Sequence, residues 1–203
     1  MKVNTVKKAQ KDQGTCPACG KEIKAGDAYK WAKGRFTSKK IRCESCAFRQ
    51  SDLTSSDKLS QVYAAQEAAE DAMAEWDGDG EEAKSIMETL AEAIREVAQE
   101  YQESADSIHE NFSESSTADE CEEKANDLEQ WADDCEQAGE EGEFDEDDID
   151  FDEDNVAVED CKDEAEKKDR IEKAREEKVE EARSEWRENL ETAMNDAIGD
   201  CPV

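Results

Sequence analysis

Residues 16–20 read Cys-Pro-Ala-Cys-Gly and residues 43–46 read Cys-Glu-Ser-Cys, so two Cys-x-x-Cys knuckles stand 23 residues apart. Each knuckle presents two sulfur ligands from one tight turn, and two knuckles complete a tetrahedral set. The spacing therefore predicts a Zn²⁺ site formed by Cys16, Cys19, Cys43 and Cys46. Because four protein ligands leave no open position for water or substrate, the pattern favours a structural metal over a catalytic one.

The charge of the chain changes sign just after the second knuckle. Residues 1–50 contain 13 Lys and Arg against four Asp and Glu, a net charge of +9. Residues 51–203 contain 13 Lys and Arg against 54 Asp and Glu, a net charge of −41. We therefore predict a basic zinc-binding module over residues 1–50, a polar hinge over 51–56 and an acidic helical domain over 57–203.

The chain offers no signal for a membrane. No apolar run approaches the roughly 20 residues that a membrane span needs. The lysine-rich start lacks the apolar core of a signal peptide. We therefore expect a cytoplasmic protein without a membrane partner, an environment that suits metal-bound thiolates better than disulfides.

Within the basic module, the near-alternation of residues 28–33, the Gly34-Arg35 turn and residues 36–42 predict a β-hairpin. Residues 1–14 are expected to be a loosely ordered arm, and residues 43–50 the first turns of a helix. Over residues 14–50, the order of a knuckle, a hairpin and a helix resembles the treble-clef class of zinc modules. The pattern Cys-Pro-x-Cys-Gly-Lys-x-Ile at residues 16–23 is also similar to small four-cysteine proteins of tailed bacteriophages. That resemblance implies a phage setting, in the host cytoplasm.

The predicted hairpin is rich in cations and aromatic side chains. Basic groups attract phosphate, and aromatic faces can stack on bases. A small module also needs aromatic residues for its core, and we favour this core role for Trp31 and Phe36. The cations could contact nucleic acid, the acidic remainder of this chain or an acidic partner. They are Lys30, Lys33, Arg35, Lys39, Lys40 and Arg42.

The acidic region has helical periodicity, so the chain is expected to be mainly α, with an elongated acidic bundle or coiled coil of four helices. The predicted helices cover residues 57–76, 81–112, 118–138 and 157–198, with N-terminal caps at Asp79 and Thr117 for the second and third. The clearest apolar stripe is Ile86, Leu90, Ile94, Val97, Tyr101, Ala105, Ile108 and Phe112.

Residues 139–156 are the most acidic stretch, and dense like charge favours an open, solvated loop. We predict that its carboxylates form an acidic surface. They are Glu143, Asp145, Glu146, Asp147, Asp148, Asp150, Asp152, Glu153 and Asp154.

Little in the chain indicates an enzyme. The single histidine, His109, is expected to be a surface residue on a helix, and no second histidine is present to serve as a catalytic base. The four cysteines outside the knuckles are expected to be buried apolar residues. Antiparallel pairing of the last two helices would bring Cys135 near Cys161, where a disulfide or a shared metal could form.

The leading functional hypothesis is nucleic-acid mimicry. A duplex of about 60 Å carries about 35 charges, which is comparable to the −41 of a helical domain of that length. Its partner would be a basic nucleic-acid-binding protein, such as a nuclease, a restriction or defence complex, or a polymerase. One alternative is an adaptor whose basic zinc module binds nucleic acid. Another is a coiled-coil component of a virion or assembly, which could be a homo-oligomer.

Overall fold

The computed structural model describes residues 1–35, 37–112, 114–140, 144–146, 149–157, 161 and 163–203, without the side chain of residue 154. The protein is mainly helical, with a small β region at its N-terminal end. The strands are β1 (Val3–Val6), β2 (Gly14–Thr15), β3 (Glu22–Ile23), β4 (Tyr29–Ala32) and β5 (Lys40–Cys43). The helices are α1 (Gln50–Leu53), α2 (Asp57–Glu75), α3 (Gly80–Asn111), α4 (Ser116–Glu140) and α5 (Glu164–Gly199).

The β region consists of two small antiparallel sheets. The predicted hairpin is confirmed as β4 paired with β5, with Trp31 opposite Ile41. Residues 1–14 are not the predicted loose arm, because β1 pairs with the other edge of β4 and gives the order β1-β4-β5. The short pair β2–β3 flanks the first knuckle. Residues 43–49 are not helical, so the predicted helix at the second knuckle is wrong and the helical turn begins only at Gln50.

A small apolar core lies between these sheets and the knuckles. Tyr29, Ile23 and Ala9 are buried there with two of the knuckle cysteines, and Trp31 packs against them. The sequence interpretation of Trp31 as a core residue is therefore confirmed. Phe36, the other aromatic residue in that prediction, lies outside the described residues.

The main core is built around α3, which packs against α4 and α2. Its predicted stripe is buried from Leu90 to Ala105, whereas Phe112 at its end is 69% exposed. Asp79 caps α3 as predicted, because its side chain accepts a hydrogen bond from the Glu82 amide at 2.8 Å. The predicted cap at Thr117 is wrong, because α4 already begins at Ser116.

Helix α5 joins this core only through its last part. Its buried residues are Leu190, Met194 and Ile198, and none of its first 26 residues is buried. The helix begins at Glu164 rather than at the predicted residue 157, and its 36 residues span about 54 Å. Across the described helices, no stretch has both the length and the hydropathy that a membrane span requires.

Residues 46–56, which connect the β region to the helices, make contacts on both sides. Ser51 donates to the Glu67 carboxylate of α2 through its amide at 3.0 Å and its hydroxyl at 2.6 Å. The Lys40 ammonium of β5 donates to the Ser51 carbonyl at 3.5 Å. Part of the predicted hinge, residues 51–53, is thus helical and hydrogen-bonded to both parts of the protein.

Candidate metal centre

The two knuckles bring the four predicted cysteines together. The first is a tight turn in which the Gly20 amide donates to the Cys16 carbonyl at 2.9 Å, with Gly20 in the left-handed region at φ +72°. The β2–β3 pair holds the base of this turn, and the Cys16 amide donates to the Lys21 carbonyl at 2.8 Å. The second knuckle follows β5, so the sheet positions Cys43 directly.

The sulfur positions suit a single tetrahedral ion. All four sulfur atoms lie within 4.8 Å of one another, and those of Cys19 and Cys43 are 3.6 Å apart. Four thiolates at about 2.3 Å from a central ion would stand about 3.8 Å from each other. The 3.6 Å separation is far longer than the roughly 2.05 Å of a disulfide. These cysteines are therefore close enough to hold a metal ion.

The surroundings of the sulfurs favour negative charge on the first cysteine of each knuckle. Burial raises the pKa of the Cys16 thiol, but the amides of Cys43 and of two residues in its own knuckle donate to the sulfur and lower that pKa to about 6. Burial also opposes ionisation of Cys43, yet hydrogen bonds from the Cys46 thiol and amide lower its pKa.

The fourth thiol holds its proton more tightly than an ordinary thiol. Hydrogen bonding to the neighbouring sulfurs, first of all to Cys43, raises the pKa of Cys46 to about 12. Four adjacent thiolates repel one another, so the last proton is held tightly. A bound divalent cation would balance the charge and displace the remaining protons. Cys19 is exposed, while Cys16 and Cys43 are buried, so an ion could reach the site from the Cys19 side.

The six predicted cations do not form one free surface. Lys30 donates to the Cys46 carbonyl at 3.1 Å, and Lys40 contacts the Ser51 carbonyl. Lys39 lies over the rings of Tyr29 and Trp31, 4.9 and 5.4 Å from their centres. The remaining three are Lys33 and Arg35, both exposed between β4 and β5, and Arg42, which is largely buried.

Arg42 is the strongest link between the β region and α1. Its guanidinium contacts both carboxylate oxygens of Asp52, at 2.7 and 2.6 Å, and both side chains are only 14% exposed. A second pair, Arg49–Asp71 at 2.7 Å, reaches α2, and the guanidinium lowers the pKa of the Asp71 carboxyl. Cations of the basic module thus contact the acidic remainder of the same chain.

The predicted acidic surface is only partly described. Asp145, Glu146, Asp150, Asp152 and Glu153 are exposed, whereas Glu143, Asp147, Asp148 and the side chain of Asp154 lie outside the described residues. Of the exposed set, Glu146 forms an ion pair with Arg183 of α5. Next to this pair, the Phe144 ring packs at a tilt of 45° against Trp186, with centroids 5.7 Å apart. This segment therefore packs against α5.

The sequence interpretation missed a denser acidic surface on α2–α4. Residues 57–140 contain 27 Asp and Glu but only four Lys and Arg, a net charge of −23. Within the described part of residues 57–140, every charged side chain is at least partly exposed. The one arginine, Arg95, contacts Asp133 at 2.7 Å and Glu136 at 2.5 Å across the α3–α4 interface. Counting charge by helix instead of by loop would have identified this surface.

The cysteines outside the knuckles do not pair as predicted. Cys135 is buried, and its sulfur is 3.8 Å from the Ala197 carbonyl near the end of α5. Burial raises the pKa of its thiol to about 12. Cys161 precedes the start of α5, about 50 Å along the helix axis from Ala197. The predicted Cys135–Cys161 proximity is therefore wrong, because α4 packs against the opposite end of α5.

Comparison with protein-family models, with curated proteins and with solved structures finds no match to this chain. The resemblance of the pattern at residues 16–23 to phage four-cysteine proteins therefore stays a prediction.

Proposed function

We propose that this protein is a non-enzymatic nucleic-acid mimic, whose acidic helices occupy the basic site of a nucleic-acid-binding protein. The observation that carries the proposal is the net charge of −23 over residues 57–140, which contain α2, α3 and α4, with every described carboxylate at least partly exposed. These helices lie along α3, whose 32 residues span about 48 Å. The resulting density, about one net charge per 2 Å, approaches the one per about 1.7 Å of duplex DNA.

The arrangement of the carboxylates on α3 supports this proposal. Glu88, Glu92, Glu96 and Glu100 are all exposed and follow one another at four-residue intervals. That interval corresponds to about 6 Å along the helix axis. A rigid helix presents such a row with little conformational entropy left to lose on binding, which suits a phosphate substitute.

We further propose that the metal is zinc and that its role is structural. Four thiolates around a tetrahedral site select zinc or iron, and closure of the site excludes substrate. In this arrangement the metal maintains the basic module, and Arg42 and Arg49 attach that module to the helices. The partner would be a nuclease, a restriction or defence complex, or a polymerase, and the predicted phage origin would place it in the host.

A competition experiment tests the proposed mimicry. The zinc-loaded protein is titrated into complexes between labelled duplex DNA and each of a panel of basic DNA-binding proteins. We expect displacement of the DNA from at least one of them. Replacing the α3 row by glutamine should weaken that displacement at least tenfold at low salt, because each lost charge reduces the counterions released. The variant carries Glu88→Gln, Glu92→Gln, Glu96→Gln and Glu100→Gln.

A matched control removes four charges from α5, where acidic and basic residues alternate. Residues 164–187 contain nine Asp and Glu and eight Lys and Arg, so this stretch is close to neutral. The control should displace DNA nearly as well as the original protein. Equal losses in both variants would show attraction by bulk charge only and would contradict a specific mimic surface. Its substitutions are Glu172→Gln, Glu176→Gln, Glu177→Gln and Glu185→Gln.

A second candidate function, nucleic-acid binding by the basic module, is favoured by a group of exposed lysines near β1–β3. They include Lys7, Lys8 and Lys11, all of which are exposed. Gel-shift measurements on the full chain test this alternative. Binding that is lost in Lys7→Gln/Lys8→Gln but kept in the matched α5 pair Lys167→Gln/Lys168→Gln would support it.

A further inference from the structure

The turn between α3 and α4 brings together the single histidine of the chain and two carboxylates. His109 lies in the last turn of α3, and Asp119 and Glu122 lie three residues apart in the first two turns of α4. The His109 Nε2 atom is 3.4 Å from Glu122 Oε1 and 4.0 Å from Asp119 Oδ1. All three candidate ligand atoms lie within 4.8 Å of one another.

These separations fit a metal ion as well as an ion pair. Nitrogen and oxygen ligands at about 2.0–2.2 Å from a tetrahedral ion stand about 3.4 Å apart. The backbone on either side is fixed, because Ala105 and Ala118 are fully buried before and after the turn. The His109 and Glu122 side chains are 31% and 43% exposed, so an ion from solvent could reach them.

We propose that His109, Asp119 and Glu122 bind a divalent transition-metal ion of the zinc class, separately from the four cysteines. Imidazole favours Zn²⁺, Ni²⁺ or Cu²⁺ over Mg²⁺ and Ca²⁺, which prefer oxygen alone. The C-terminal end of α3 adds a negative electrostatic potential at His109, and Glu110 and Glu123 lie beside the ligands in sequence. Three protein ligands leave one position for water, and the bound ion would clamp the α3–α4 turn.

Zinc titration of the full-length protein, followed by NMR, tests this site. The protein is first loaded with one equivalent of zinc at the cysteines, and excess Mg²⁺ is added to occupy non-specific carboxylates. Because His109 is the only histidine, its imidazole signals are unambiguous. We expect these signals to shift with Zn²⁺ and to saturate at one further equivalent.

Two variants separate a site from general attraction. Glu122→Gln removes a ligand and should weaken zinc binding at least tenfold. Glu123→Gln removes the same charge from the neighbouring exposed position and should change it less than twofold. Imidazole signals that do not respond to Zn²⁺, or equal weakening in the two variants, would overturn the proposal. Both variants retain the imidazole reporter, and helical circular dichroism verifies their folding.

Discussion

The ion pair between Arg42 and Asp52 should be the contact on which attachment of the β region to the helices depends most. Both side chains are 14% exposed, and one guanidinium nitrogen of Arg42 contacts both carboxylate oxygens of Asp52. Removing one partner leaves the other charge largely desolvated, which costs about 3 kcal/mol when a pair is fully buried. Allowing for the residual exposure, we expect Arg42→Met or Asp52→Asn to destabilise β4 and β5 by about 2 kcal/mol.

The double variant is expected to be much less affected than the sum of the single variants. Replacing both partners leaves no uncompensated charge, so the coupling energy should be about 2 kcal/mol. Hydrogen exchange of the β4 and β5 amides in the zinc-loaded, full-length protein measures it, because local opening energies are read directly from protected amides.

An exposed pair in the same module provides the control. Lys24 and Glu22 are 3.1 Å apart but about 70% exposed, so their coupling should be below about 0.5 kcal/mol. A coupling for Arg42–Asp52 as small as that of Lys24–Glu22 would refute the reasoning, because burial would then have no effect on the pair.

Three further predictions concern packing, charge and metal. Gly139→Ala should lower the melting temperature, because the added Cβ would stand 2.8 Å from the Cβ of buried Met87, which outweighs the better helix propensity of alanine. Gly199→Ala is the control: its Cβ would meet nothing within 4 Å, so the melting temperature should not fall. Arg95→Gln should destabilise the helices by about 1 kcal/mol at low salt and by less at high salt, as measured by urea denaturation. Without the guanidinium the neighbouring carboxylates of α4 repel one another, and added salt screens that repulsion. Elemental analysis should find at least one zinc per chain. Removal of the zinc by a strong chelator should abolish exchange protection in β4 and β5 while helical circular dichroism is largely retained, since the helices have a separate core. An unchanged melting temperature in Gly139→Ala, a salt-independent loss in Arg95→Gln, or full protection after chelation would each contradict the corresponding prediction.

The parts of the fold that depend on local signals could be predicted from the sequence. Two Cys-x-x-Cys turns identify their own ligands, and the stripe from Leu90 to Ala105 fixes the inward face of α3. The rest of that face, including Met87 and Ala91, could not be predicted, because α3 is covered on two sides and therefore buries a wider surface than one partner helix requires.

Long-range pairing accounts for most of what sequence reasoning missed. Strand β1 has no alternation that distinguishes it from a loop, and it is defined by hydrogen bonds to β4, more than 20 residues away. The role of Arg42 likewise depends on a partner in another element, Asp52 of α1, and the contact of Cys135 with Ala197 depends on where α5 packs. Such contacts depend on tertiary structure, on which local periodicity gives no information.

The salt dependence of binding to a basic partner tests the central claim most directly. For the panel protein from which DNA is displaced most strongly, the inhibition constant is measured at increasing salt concentration. We predict a linear fall of log affinity with log salt, with a slope of the same order as for DNA on that protein, because densely spaced carboxylates, like phosphates, release their bound cations when basic side chains neutralise them. An affinity that stays constant from low to high salt would contradict nucleic-acid mimicry.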